Sequence, residues 1–85
     1  MNTPSECQLC HMNIIIRVTL FDREWHIVYT SVKTIGGKEI TTVATSADEP
    51  PQFEPVLAHL NSVGYAITAV ASPIFGSETY VFTKQ

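Results

Sequence analysis

The sequence predicts an α+β fold: a small antiparallel sheet in the order β-β-β-α-β-β, with one helix packed on one face. Three observations predict it. Apolar residues alternate over positions 14–21, an apolar stripe at helical spacing runs from Phe53 to Val63, and two strand-like runs joined by a proline and glycine loop follow Gly64. At 85 residues, 45% of them hydrophobic, the chain suits one domain near the lower size at which a core holds a fold unaided.

Residues 1–11 are polar, carry Pro4 and show neither period, so they read as a disordered N-terminal tail ahead of a single domain over residues 12–85. Met12 stands immediately before the first strand and is a candidate alternative start. In that strand Ile14, Ile16, Val18 and Leu20 share one face, with Ile15, Arg17, Thr19 and Phe21 on the other. Asp22, Arg23 and Glu24 make a polar turn. Residues 25–33 are rich in aromatic and β-branched side chains and are expected to pair back antiparallel. Gly36 and Gly37 allow a tight hairpin, and residues 39–45 are expected to return as a third strand.

Residues 46–51 form a linker in which Pro50 and Pro51 donate no backbone hydrogen bond, while Asp48 and Glu49 favour the positive end of a following helix. Pro55 is tolerated only in a first helical turn, which places the helix over about residues 55–63, with Phe53, Val56, Leu57, Leu60 and Val63 on one face. His59 is expected on its solvent side. Gly64 sits where a left-handed C-terminal cap is needed. Residues 65–71 and 79–83 complete the sheet as two strands joined by a loop over residues 72–77.

One helix covers one face, yet both faces of such a sheet carry apolar residues: Trp25, Ile27 and Tyr29 against Val28 and Val32, and Tyr80 and Phe82 against Val81. A second copy of the chain, another partner, or curling into a half-barrel is therefore expected to cover the second face. Ile74 and Phe75 on the loop are expected to be buried by the fold or by a neighbour. Free exposure there would count against an interface.

The helix followed by LNSVGYAITAVASP, a loop and GSETYVFTK resembles the small bacterial and phage family catalogued as domain of unknown function 4177. The resemblance covers roughly the last forty residues: a leucine-bearing helix, a glycine followed by an aromatic and an apolar strand, and a last strand ending in an aromatic and a basic residue. Tyr65 stands where the family usually has tryptophan, and residues 12–33 extend beyond its short core. The resemblance implies the fold and no established activity.

A formal charge of −3 offers no global positive field for nucleic acid or an anionic membrane, and no apolar run is long enough to span a bilayer. The first residues lack the charged-then-apolar order of a secretory signal, so the chain reads as cytoplasmic, with reduced thiols. Cys7-Gln8-Leu9-Cys10-His11 matches the haem-attachment pattern, but that chemistry needs export and a pocket. Zinc is the better functional reading, with Cys7, Cys10 and His11 as three ligands and His26 or a second chain supplying the fourth, although adjacent Cys10 and His11 fit one tetrahedron awkwardly. A redox pair would need a helix to lower its thiol pKa, and none follows. Two reduced thiols on a tail account for the motif, and no cofactor is expected.

His26 lies among apolar strand residues and reads as a satisfied core or interface histidine. No catalytic serine elbow, P-loop, dinucleotide fingerprint or zinc-protease motif is present. The expected function is therefore a small non-enzymatic, homo-oligomeric module. It would bind a protein partner or a small ligand through an aromatic sheet face or subunit junction, using Trp25, Tyr29, Phe75 and Tyr80. Two alternatives are a phage-type inhibitor of a host enzyme and a single-stranded nucleic-acid binder using Arg17, Arg23, Lys33 and Lys38.

Overall fold

The structure, a computed structural model, describes residues 13–45 and 51–85. The expected tail, the candidate start at Met12, the Cys7, Cys10 and His11 motif and most of the 46–51 linker lie outside the described residues. The fold is α+β, with one antiparallel sheet and one principal helix against it, as the sequence predicts.

Strand β1 (Ile14–Phe21) alternates as expected: Ile14, Ile16 and Val18 are buried while Ile15 and Arg17 are exposed. An Asp22-Arg23 turn with φ of 55° and 69° reverses the chain into β2 (Glu24–Thr30). Positive φ at both central residues is the turn geometry whose twist matches a hairpin. The two short strands β3 (Thr34–Ile35) and β4 (Lys38–Glu39) pair across Gly36-Gly37 as a separate hairpin. Helix α1 (Ile40–Ala44) and helix α2 (Phe53–Ser62) come next, followed by β5 (Tyr65–Ile74) and β6 (Ser77–Lys84). The main sheet has the order β2-β1-β6-β5, so the first long strand pairs with the last.

The core forms between the sheet and the helices. Ile14, Ile16, Val18 and Phe82 face Phe53, Val56 and Leu60 of α2, while Ile35, Ile40 and Ala44 close one end. The apolar stripe on α2 is as expected, with Leu57 and Val63 packed at its margin. Gly64 follows the helix at φ 96°, and Lys84 donates from Nζ to the Val63 carbonyl at 2.9 Å. A cation at a helix C-terminus satisfies a carbonyl that the ladder leaves free and opposes the helix dipole.

Several elements differ from the sequence reading. Residues 40–44 are helix rather than a third long strand, so the predicted five-stranded sheet is four-stranded with a separate small hairpin. Ile40 and Ala44, four apart, both turn into the core, and that burial outweighs the β-branched preference of Thr41, Thr42 and Val43. Helix α2 starts at Phe53, two residues before expectation. Pro55 falls in its first turn, where the N–H it lacks would have no partner within the helix. Strand β5 continues to Ile74, which pairs with Ser77, so the expected loop shrinks to Phe75-Gly76 with Gly76 at φ 86°. A one-residue register shift between Arg17 and Val18 also moves Tyr29 off the face of Trp25 and Ile27, setting it opposite Arg17.

The fold does not bury the loop residues it was expected to bury. Phe75 is 97% exposed and Ile74 67%. His59 is not on a free helical face either: its Nε2–H donates to the Ile35 carbonyl at 2.7 Å, tying α2 to the β3–β4 hairpin.

Candidate functional site

Four aromatic residues were expected to make contacts, and the fold brings two of them together. Trp25 on β2 and Tyr80 on β6 line one cleft with Phe53 at the start of α2. Tyr29 lies on the uncovered side of the sheet beneath the Arg17 guanidinium, 5.8 Å from the ring centre. Phe75 is at the hairpin tip.

The cleft has a volume of about 340 Å³, at the lower end of the range for small-molecule sites. Its walls are Trp25, Phe53, Leu57 and Tyr80, and Arg23, Glu24, Gln52 and Glu54 complete the lining. Local chain geometry sets each group in place. The tight Asp22-Arg23 turn brings Arg23 and Glu24 beside the sheet end, and a bridge between His26 and Gln52 pins the start of α2 to β2. Gln52 Nε2 donates to Glu24 Oε1 at 3.3 Å. The Phe53 and Tyr80 rings lie 4.9 Å apart at 31°, close to offset stacking, and Phe53 meets Phe82 edge-on at 6.3 Å.

Tyr80 is held by its hydroxyl, which donates to Glu78 Oε1, and the other oxygen of Glu78 accepts from Ser72 Oγ at 3.3 Å. That hydrogen bond, burial, and the carboxylate charge, in that order, push the phenol from 10.0 up to about 12. The ring is therefore a neutral wall at ordinary pH.

His26 is buried, yet its Nδ1 has no hydrogen-bond partner among the described residues. Its Nε2 lies 3.9 Å from Glu24 Oε1, too long for a hydrogen bond. The expected satisfied histidine is therefore buried, with one ring nitrogen unsatisfied among the described residues. Among the described residues no group of three histidine, cysteine, aspartate or glutamate side chains could hold a metal. A second cavity of about 430 Å³ opens between β2 and α1, lined chiefly by Ile27, Val28, Val32, Ile40 and Ala44.

Beyond Trp25 and Tyr80 the cleft is lined by Arg23, Glu24, Gln52, Phe53, Glu54 and Leu57, of which the sequence singles out Arg23 only as a phosphate-contact candidate. Phe53 and Leu57 had registered only as core stripe. Their role in the cleft depends on the His26–Gln52 bridge between segments far apart in the chain, which leaves no periodic signal. No helix among the described residues is long and apolar enough to cross a membrane. Set against models of known protein families, curated proteins and solved structures, the chain matches none.

Proposed function

We propose that the chain is a small non-enzymatic interaction module that self-associates, acts in the cytoplasm, and receives a protein partner or small ligand in the Trp25–Tyr80 cleft or at the subunit junction. The observation that carries this reading is where apolar surface remains. Ile67 and Val70 of β5 are exposed on the helix side of the sheet, beside an edge that no described strand pairs, whereas Ile74 pairs with Ser77 and so faces the other side. Apolar side chains left open beside an unpaired sheet edge mark a contact site. The free exposure of Ile74 and Phe75 counts against an interface at the hairpin tip, which is therefore left out of the contact.

Two further features support a binding role over catalysis. The cleft offers aromatic walls and a mixed-charge lining but no nucleophile paired with a base. The cations proposed for a nucleic-acid strand do not converge either: Arg17 is on the uncovered sheet side, Arg23 at the cleft, and Lys33 and Lys38 around the small hairpin. The test is native mass spectrometry of untagged protein with sedimentation over a wide concentration range. A discrete multimer is the expected result, and a monomer throughout overturns the reading.

A further inference from the structure

The main sheet has two edges, and the chain treats them differently. On the β2 edge, the Ile27 N–H donates to the Pro51 carbonyl at 3.0 Å and Gln52 bridges His26, so another segment of the same chain already occupies that part of the edge. On the other edge, β5 pairs with β6 on one side and with no described strand on the other. A sheet edge carries a row of unpaired N–H and C=O groups, and natural proteins usually protect it with charges, proline or a covering segment. None of the ten residues of β5, YAITAVASPI, is charged. Pro73 lies near its end, which leaves residues 65–72 able to pair. Register shifts at Ile67/Ala69 and Ala71/Ile74 add twist to the strand, a partial protection that leaves its edge without a described partner strand.

The side chains beside this edge also lack cover. Ile67 pairs with Phe82 and Val70 with Tyr80, so both point to the helix side of the sheet. They remain 39% and 53% exposed because α2 covers the part of the sheet nearer β1. The side without helices mixes exposed apolar residues, Ile15, Phe21 and Tyr29, with polar ones. Beside Ile15 and Val81 it presents Arg17, Thr19, Thr79 and Thr83, and the Thr83 and Thr68 hydroxyls bond to each other at 2.9 Å.

We propose that the edge of β5 is a self-association surface whose occupant is β5 of a second copy, antiparallel about a two-fold axis, joining two four-stranded sheets into one of eight strands. This rests on the self-association reading above and assigns the contact. An extended backbone edge is filled by a strand, and a strand without charge meets its own copy without like-charge repulsion. The pairing sets Ile67 and Val70 of one subunit beside the same residues of its partner, covering on both subunits the surface that α2 does not reach. Because the β2 edge is partly occupied from within, the pairing closes at two copies instead of propagating as a filament.

The experiment compares wild type, Val70→Lys and Ile15→Lys by sedimentation and by amide hydrogen exchange at micromolar and at high concentration. Val70 is exposed, so the lysine is accommodated in the folded monomer, which near-ultraviolet circular dichroism confirms. The expected result is a wild-type dimer in which the outward-facing amides of β5 gain protection only at high concentration. Val70→Lys should weaken dimerisation by about tenfold or more, while Ile15→Lys leaves it intact. A dimer resistant to Val70→Lys, with exposed β5 amides, overturns the edge assignment and leaves self-association standing. A wild-type monomer at every concentration overturns both.

Discussion

The two side chains with the most unusual surroundings make opposite predictions. His26 is buried with Nδ1 unpartnered among the described residues, so its imidazole bears a desolvation cost that no described hydrogen bond at that nitrogen offsets. Replacing it by an apolar residue of similar bulk removes the orphaned atom. His26→Leu is therefore expected to leave stability within about 0.5 kcal/mol of wild type or to raise it, as read from a urea midpoint. A fall of several times that would mean the nitrogen is satisfied in solution. Tyr80 is the reverse case, because its hydroxyl is satisfied by Glu78 and its phenol is raised to about 12. Between the unfolded value near 10 and the folded value, the unfolded chain releases a proton that the native chain keeps. The stabilisation is thus fully present below pH 10 and is lost as pH rises toward 12. Phenolate absorbance titration should show one late ionisation that Tyr80→Phe abolishes, and the variant should lose less stability over that interval.

At the level of elements, the β3–β4 hairpin shows how a local turn is fixed by a distant helix. A Cβ on Gly36, at φ 59°, would stand 2.7 Å from Val63 Cγ1 and 3.2 Å from His59 Nε2, whereas one on Gly37, at φ 84°, meets nothing within 4 Å. Both substitutions to alanine carry backbone strain of about 1 kcal/mol, but only Gly36→Ala also forces α2 and the hairpin apart. Thermal unfolding of the two variants should therefore show Gly36→Ala to be clearly the more destabilised. Near-equal losses would remove the helix contact as the reason for that glycine. The same contact explains what was legible in the sequence. The hairpin glycines, the alternation of β1, the α2 stripe and Gly64 are all local signals, and each was read. Residues 40–44 carry a misleading local signal, because their β-branched content favours a strand while the reason for helix, burial of Ile40 and Ala44 beside α2, is tertiary. The place of His59 is not legible locally for a similar reason, since its partner at Ile35 is 24 residues away. Trp25 and Tyr80 were picked out by residue type, but their convergence with Phe53 depends on β1 pairing with β6 and on the bridge at Gln52.

For the whole molecule, the burial pattern separates a finished half from an unfinished one, and a matched pair of truncations tells them apart. Leu60 of α2 is fully buried between the sheet and the helix layer, so Leu60→Ala removes its contacts and leaves a cavity that its neighbours fill only in part. A cost of about 2–5 kcal/mol follows, and it is independent of protein concentration when measured on the dilute chain. Ile67 of β5 loses a similar volume on mutation to alanine, yet it is 39% exposed in the single chain, so in dilute solution Ile67→Ala should cost about 1 kcal/mol or less. If a second copy seats against β5, wild type gains stability with concentration by mass action, and truncating Ile67 removes part of that gain. The penalty for Ile67→Ala should then grow as concentration rises through the dimerisation range, while denaturant midpoints for Leu60→Ala shift in parallel with wild type. A concentration-independent penalty at Ile67 would show that β5 remains an uncovered edge and that the apolar residues along it serve the single chain alone.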